Sequence, residues 1–282
     1  MIVSPKSKLL EQRQGDAPTI VQILPAMVRG GVERGTVEMA DAIQKHGGRA
    51  IVISRGGPLV RHLDRLGATH YQLDVHAKNP FCWPQIRRQL KAILSHENAD
   101  LVHVRSRVPA WIALPAAAAL GIATVSTVHG RFIALSALKR IYNRKLLKTD
   151  HVIAISNHVK DLITRQYVDV EKRLTVVHRG VDIDLFNPDN VNQTRIVNFV
   201  EGIAIPEDVP VIMLPARATK WKGHQILLQA LVKIKDRPFI CLMVGAGDGK
   251  PAFVSELVRY GLQLGLEGRL SLIHISEPTR RS

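Results

Sequence analysis

A short basic loop between an apolar run and a helical pattern carries residue types suited to holding a diphosphate. Residues 214–231 read LPARATKWKGHQILLQAL, with Arg217, Lys220 and Lys222 in the loop. Unpaired N–H groups and the positive dipole end of a helix N-terminus favour an anion there. Arginine adds a planar fork for two phosphate oxygens, and lysine adds a point charge. The segment therefore predicts a diphosphate cradle, although an ordinary solvated loop explains it equally well.

Two further turns follow apolar runs and are rich in glycine. The first reads PAMVRGGVERG and contains Gly30 and Gly31, and the second reads GAGDGK and contains Gly245 and Gly247. Glycine lets backbone approach a ligand at the carboxyl end of a strand, where ligands of α/β proteins bind. The first turn lacks the G-x-G-x-x-G pattern of dinucleotide sites, and a plain tight turn also explains it. The second lies one βα unit after the basic loop, so both strand ends are expected to face a phosphate or a sugar.

Two other predicted strand ends carry a histidine and a pair of arginines. The run TVSTVHG ends with His129 and Gly130, and VHVRSRVPAW places Arg105 and Arg107 after the preceding strand. Side chains at these ends point into the crevice where α/β ligands bind. The histidine suits a hydrogen bond to a sugar hydroxyl, and the arginines suit an anionic acceptor. A structural histidine and a solvated pair of arginines are the alternatives.

These residues sit in an alternation of short β-branched runs and longer helical patterns. The runs predict strands at residues 20–25, 50–54, 70–74, 101–105, 124–128, 152–155, 174–178, 209–215 and 239–244. Helical patterns lie at residues 32–46, 84–97, 110–120, 136–148, 157–166, 223–235 and 251–264. Such βαβ alternation predicts parallel sheets wound on both faces. An irregular stretch, RGVDIDLFNPD, separates one complete Rossmann-like domain from about half of a second.

Composition narrows the protein class. The 282 residues are 46% hydrophobic and hold two cysteines far apart, Cys82 and Cys241, which favours a globular protein of a reducing cytosol. The first eighteen residues lack the apolar region of a signal peptide, and no apolar run is long enough to cross a membrane. Residues 1–149 carry 22 Lys and Arg against 9 Asp and Glu, whereas residues 150–282 carry 17 against 15. The basic first half predicts an anionic partner: a nucleic acid, an acidic membrane face or a phosphorylated substrate.

Part of that charge lies in one segment with regular apolar spacing. Residues 131–148 hold six Lys and Arg and no acid, interleaved with apolar and aromatic side chains. A basic amphipathic helix on an anionic membrane surface has this pattern. A helix packed on the core with a solvated basic face has it too.

The last residues, 270–282, read LSLIHISEPTRRS. This segment resembles the translated sequence of a sequencing adapter, so we expect a non-native tail there and a native protein that continues beyond Arg269. The alternative is a native strand followed by a polar end. The predicted domains are then an extension at 1–18, a first domain at 19–188, a partial second domain at 189–269, and the tail.

Taken in order, seven segments resemble the retaining glycosyltransferases of family 4, which have the GT-B fold. They read RGGVERGTVEMA, VHVRSRVPAW, STVHG, VIAISNHVKDLI, VVHRGVDIDLFNP, ARATKWKGHQILLQAL and VGAGDG. The resemblance implies two Rossmann-like doubly wound domains, the second incomplete here. It also implies transfer of a sugar from a UDP- or GDP-linked donor, without a metal or other cofactor, to a lipopolysaccharide or other surface-glycan or lipid-linked acceptor.

The same resemblance implies roles for individual residues. Gly30 and Gly31 would lie near the donor phosphates, and His129 would touch the sugar in the active site. Arg217 and Lys222 would bind the donor diphosphate and stabilise charge on the leaving nucleotide. The turn with Gly245 and Gly247 would bind the donor too.

The family's pair of donor-contacting glutamates, spaced E-x7-E, has no counterpart in this chain, so we expect the fragment itself to lack full catalysis. We also expect a cytoplasmic protein that contacts the inner face of the membrane peripherally. Rival interpretations are a nucleotide-sugar 2-epimerase of the same fold, a non-catalytic module that binds an acceptor or anion, a nucleic-acid binder and a Rossmann dehydrogenase. The last two lack the sequence signatures of their classes.

Overall fold

The computed structural model of the chain describes residues 17–273, except residues 29, 131, 204, 207 and 246–250. The chain divides into two units, the first ending at Val181 and the second beginning at Asp182. This division falls within the stretch of Gly, Asp and Pro that the sequence marks as an irregular crossover. The boundaries expected at residues 188 and 269 stay predictions.

The first unit is built on a parallel sheet of seven strands in the order β3-β2-β1-β4-β5-β6-β7. Its strands are β1 (Thr19–Ile23), β2 (Arg49–Ser54), β3 (Thr69–Gln72), β4 (Leu101–Val104), β5 (Ala123–Val128), β6 (His151–Ala154) and β7 (Leu174–Val176). Its helices are α1 (Gly31–Lys45), α2 (Val60–Arg65), α3 (Trp83–His96), α4 (Arg107–Ala118), α5 (Ala137–Arg144) and α6 (Asn157–Thr164).

Apolar side chains on both faces of this sheet are buried, as the uninterrupted apolar strands predict. Ile51 and Ile53 of β2 pack in one core cluster, and Ala50 and Val52 of the same strand pack in another. Successive side chains of a strand point to opposite faces, so the two clusters lie on opposite sides of the sheet. Helices therefore cover both sides of the sheet.

Strand order reverses between β1 and β4, which creates a topological switch point at the carboxyl ends of the strands. The backbone N–H of Arg105, just after β4, donates to the carbonyl of Ile23 at the end of β1 over 3.0 Å. The loop that leads from β1 to Gly30 therefore begins beside the first predicted arginine.

The second unit contains a three-stranded parallel sheet in the order β10-β9-β8 within the described residues. Its elements are α7 (Gln193–Gly202), β8 (Val211–Pro215), α8 (His224–Val232), β9 (Ile240–Val244), α9 (Pro251–Gln263) and β10 (Leu270–Ile273). Leu228, Leu257 and Cys241 belong to its own core cluster. The strand β10 comes from the start of the segment expected to be a non-native tail, and residues 274–282 lie outside the described part of the chain.

Helix positions differ from the sequence predictions in several places: the helices predicted at 136–148 and 223–235 end earlier, at Arg144 and Val232. The short α2 and the polar α7 were not predicted, because neither has a clear apolar stripe of sufficient length. Helix α4 begins at Arg107, three residues earlier than expected, because Pro109 lies in its first turn, where a missing N–H costs nothing. No helix among the described residues is long and apolar enough to cross a membrane.

Candidate functional site

The first unit brings together three of the predicted residues around one cavity. Arg105, Arg107 and His129 line a space of about 180 Å³ at the carboxyl ends of β4 and β5, together with Gly130 and Phe132. The guanidinium carbon of Arg107 lies 4.9 Å from the centroid of the Phe132 ring, a cation–π distance. The predicted histidine and arginines therefore share one concave surface.

Arg105 is a buried cation whose side chain is held by a hydrogen bond to Gln22. The residue is 6% exposed, and its Nη1 donates to Oε1 of Gln22 over 2.8 Å. Gln22 is fully buried near the end of β1, and its Nε2 donates to the carbonyl of Thr36 in α1 over 3.0 Å. Burial and the nearby charge of Arg179 lower the pKa of Arg105 to about 10. The site thus holds a charged guanidinium in surroundings that favour the approach of an anion.

Arg179, from the segment after β7, completes this arginine cluster. A Cβ on Gly31 would lie 2.9 Å from Nη1 of Arg179, and a Cβ on Gly35 would lie 2.6 Å from its Nη2. Because Gly31 and Gly35 have no side chains, the guanidinium of Arg179 is able to pack directly against α1. Its Nη2 is also 3.5 Å from Oε2 of Glu38. Gly31, expected near a donor phosphate, thus lies against a cation.

Gly30 forms the N-cap of α1 without a side-chain hydrogen bond. A Cβ at this position would meet the carboxylate of Glu33 in the first turn of the helix. Because glycine has no Cβ, the carboxylate of Glu33 is able to lie against the backbone of residue 30. The two predicted glycines begin a helix at the switch point, where backbone N–H groups are available for a ligand.

His129 is held as a neutral imidazole at the edge of the cavity. Both of its ring nitrogens are buried, and neither has a hydrogen-bond partner among the described residues. Burial, followed by the charges of Arg105 and Arg179, lowers the pKa of His129 to about 3. A neutral ring with two unused nitrogens is able to accept one hydrogen bond and donate another to a ligand hydroxyl.

His103 lies in β4, two residues before Arg105. Its Nε2 lies 2.8 Å from Oγ1 of Thr127, which joins β4 to β5. The residue is 4% exposed, and burial, with the charges of Arg105 and His129, lowers the pKa of His103 to about 3. This histidine is a satisfied structural group rather than a cavity-lining one.

In the second unit, the basic loop has the predicted strand–loop–helix form. Arg217 and Lys222 are exposed between β8 and α8, and Nζ of Lys222 lies 4.2 Å from the ring centroid of Trp221. Gly223 has a φ of 82°, a left-handed conformation that favours glycine, and forms the N-cap of α8. The loop thus presents cations at a helix N-terminus.

The turn after β9 lies beside this basic loop. The backbone N–H of Ala216, after β8, donates to the carbonyl of Val244 at the end of β9 over 2.9 Å. Gly245 follows with a φ of 86°. Two neighbouring strand ends therefore meet at one edge, as predicted. Gly247 lies outside the described residues.

A family model described as Glycosyltransferase Family 4 matches residues 29–185, more than half of the chain. The chain belongs to glycosyltransferase family 4. The matched range includes the glycine turn, Arg105, Arg107, His129 and Arg179, so these site residues lie within the part of the chain that matches the family.

Solved structures support the family assignment and the fold. A family relative, a glycosyltransferase from Rickettsia africae ESF-5, aligns with a TM-score of 0.82 at 36% identity over 93% of this chain and 69% of that chain. Anabaena HepE, solved with UDP-glucose, aligns with a TM-score of 0.75 at 19% identity over 92% of this chain and 69% of that one. The predicted α/β fold of GT-B type is confirmed.

A curated relative covers a smaller part of the chain. A D-inositol 3-phosphate glycosyltransferase of Xylanimonas cellulosilytica is 30% identical over 134 residues, 47% of this chain and 32% of that protein. The chain therefore spans about a third of the length of this relative.

Two residues of the site, Gln22 and Arg179, were not predicted from the sequence of this family member. Gln22 carried a usable signal, because a glutamine inside the apolar strand TIVQI must find hydrogen-bond partners when buried. Arg179 lies in the motif VVHRGVDIDLFNP, which the sequence marks only as an irregular crossover. Nothing local indicates that it reaches the glycines of α1.

Proposed function

We propose that this chain belongs to a transferase that moves a sugar from a UDP- or GDP-linked donor to a surface-glycan or lipid-linked acceptor, with retention of the anomeric configuration. The observation that carries the proposal is the loop between β8 and α8 in a member of this family. Its exposed cations, Arg217 and Lys222, stand at a helix N-terminus beside the glycine turn at Gly245. That combination suits a diphosphate.

The chemistry of the donor step agrees with this placement. Departure of a nucleoside diphosphate builds negative charge on its phosphates, and preorganised cations and N–H groups lower the barrier to that departure. The role needs no metal in this proposal, because Arg217 and Lys222 supply the positive charge. HepE, a structural neighbour, was solved with UDP-glucose, which supports a UDP-linked donor.

The cavity of the first unit suits the sugar and the acceptor. The neutral ring of His129 has nitrogens without partners among the described residues and therefore suits a sugar hydroxyl. Arg105 and Arg107 suit an anionic group of the acceptor, such as the phosphates of a lipopolysaccharide core or lipid carrier. The Xylanimonas relative is likewise named for a phosphorylated compound, D-inositol 3-phosphate.

Helix α5 and the residues before it suit a peripheral contact with an anionic membrane. Phe132 and Leu146 are buried, but Leu135, Leu138 and Ile141 are 92%, 80% and 59% exposed. Exposed Lys139 and Arg140 neighbour these apolar side chains in sequence. A surface that combines apolar groups with cations complements anionic lipid head groups. We propose that the protein acts at the inner face of the cytoplasmic membrane.

Ligand binding by the purified chain tests the proposed donor. The chain is titrated calorimetrically with UDP, GDP, NAD⁺ and a random-sequence DNA duplex at physiological salt. The proposal expects one of the two nucleoside diphosphates to bind more tightly than NAD⁺ and the DNA. Preferential binding of NAD⁺ would favour a dehydrogenase, and binding of DNA that persists at this salt would favour a nucleic-acid binder.

A further inference from the structure

We propose that Arg105 and Arg179 form a binding site for one phosphate group in the first unit, beside Gly31 and Gly35 of α1. Gly31 and Gly35 are one helical turn apart and form what we call the glycine face of α1. The residues of this site belong to the first unit, whereas the basic loop with Arg217 and Lys222 belongs to the second. Which substrate carries the phosphate rests on the proposed function, whereas the existence of the anion site does not.

The two guanidinium groups converge on the same place. The position of a Cβ on Gly35 lies 2.6 Å from Nη2 of Arg179 and 3.2 Å from Nη2 of Arg105. Two like charges held this close repel each other, and an anion between them removes the repulsion. A phosphate has enough oxygens to accept from both planar forks at once.

The burial of Arg105 makes it more than a surface charge. The residue is 6% exposed, Nη1 is held by Gln22, and its buried Nε has no hydrogen-bond partner among the described residues. A buried donor of this kind costs free energy until it is paired. Arg179 is more accessible, with its side chain 35% exposed, so the cluster can be reached by a ligand.

Nearby carboxylates do not cancel this positive charge. Glu38 lies 3.5 Å from Arg179 through one oxygen and 3.7 Å from Nε of Arg34 through the other. Both pairs are partly exposed, so each is weak. Burial lowers the pKa of Arg105 most, and the lowering by the charge of Arg179 is larger than the raising by either Glu38 or Glu33 alone. An added anion is therefore favoured at this position.

The glycine face provides a test that removes no charge. In Gly35→Ala, the new methyl group enters the space between the guanidiniums, where it displaces the more accessible end of Arg179 and crowds Nη2 of the fixed Arg105. Alanine favours a helix interior over glycine, so the variant is expected to unfold at the same temperature as the parent or a higher one. A loss of phosphate affinity without a loss of stability then reports on the site itself.

Inorganic phosphate is the first probe, measured by ³¹P NMR titration of the full chain. The parent carries Lys222→Gln, so that the basic loop of the second unit contributes less to binding. Arg179→Gln and Gly35→Ala are each expected to weaken phosphate binding by about tenfold, the value of a charge-assisted hydrogen bond. The matched control, Arg88→Gln, removes an exposed charge from α3 and is expected to change little.

The source of the phosphate is distinguished with UDP and the chain that retains Lys222. If Arg179→Gln weakens UDP binding as well, the site holds a phosphate of the donor. If UDP binding is unchanged while inorganic phosphate binding falls, the site holds a phosphate of the acceptor. Equal effects of Arg179→Gln and Arg88→Gln on inorganic phosphate overturn the proposal. A chain that binds inorganic phosphate through Arg179 but no nucleoside diphosphate retains this site and contradicts the proposed function.

Discussion

Oε1 of Gln22 accepts a 2.8 Å hydrogen bond from Nη1 of Arg105, and both residues are almost completely buried. The same amide donates to the backbone of α1 at Thr36. An amide is able to accept and donate at once, which a carboxylate or a hydrocarbon is not. Gln22 thus joins three elements of the first unit, the strand β1, the helix α1 and the loop after β4, and it sets the position of the arginine.

Substitution of Gln22 by leucine is expected to destabilise the first unit strongly. Leucine has a similar size but leaves Nη1 of the buried Arg105 without its partner and removes the side-chain hydrogen bond to the Thr36 carbonyl, which costs about 2–4 kcal/mol of unfolding free energy. Urea denaturation measures this change. Gln44→Leu is the control, because Gln44 donates to the carbonyl of Leu66 from a partly exposed position. If both variants lose a similar unfolding free energy, the buried hydrogen bond to Arg105 does not stabilise the protein more than a partly exposed one.

Stability is expected to fall in mild acid because His103 is buried as a neutral ring. Its pKa is about 3 in the folded protein, below the ordinary value of 6.5. Between these values the unfolded chain binds a proton that the folded chain does not, so the stability present above pH 6.5 is lost as the pH falls. The expected slope from this group is about 1.4 kcal/mol per pH unit.

Variants separate this proton effect from the hydrogen bond of the same histidine. In His103→Gln the amide retains a donor for Thr127, and the plot of unfolding free energy against pH is expected to become shallower by about one proton. Thr127→Val removes the hydrogen bond but keeps the histidine, so it should lower stability at every pH with the slope retained. A slope unchanged by His103→Gln would contradict the neutral state of the ring.

Sedimentation with lipid vesicles tests the proposed membrane surface. The chain is expected to bind vesicles of phosphatidylglycerol and phosphatidylcholine, to bind pure phosphatidylcholine much more weakly, and to dissociate as salt rises. Leu138→Ser with Ile141→Ser, and separately Lys139→Gln with Arg140→Gln, should each reduce binding. Leu262→Ser changes an exposed leucine of the second unit and should have little effect. Equal binding to both kinds of vesicle would exclude an electrostatic contact.

Most of the fold could be predicted from the sequence because β-branched runs and helical patterns alternate without ambiguity. The basic loop from Arg217 to Lys222 was predicted for a similar reason, since its strand, cations and helix start are neighbours in the chain. Arg179 could not be placed, because it meets Gly31 and Gly35 only after the chain returns from the far edge of the sheet. The ring of His129 has no hydrogen-bond partner within the described part of the chain, and that too depends on packing that no local pattern encodes.

The most direct test of the account is the affinity of the chain for nucleoside diphosphates with and without the cation at residue 222. Lys222→Gln is compared with Lys235→Gln, which changes an exposed lysine beyond the other end of α8. The account predicts that Lys222→Gln weakens binding of UDP or GDP about tenfold or more, while Lys235→Gln leaves it unchanged. Equal affinity of the two variants, or no binding of either nucleotide by the unmodified chain, would contradict the proposed donor site.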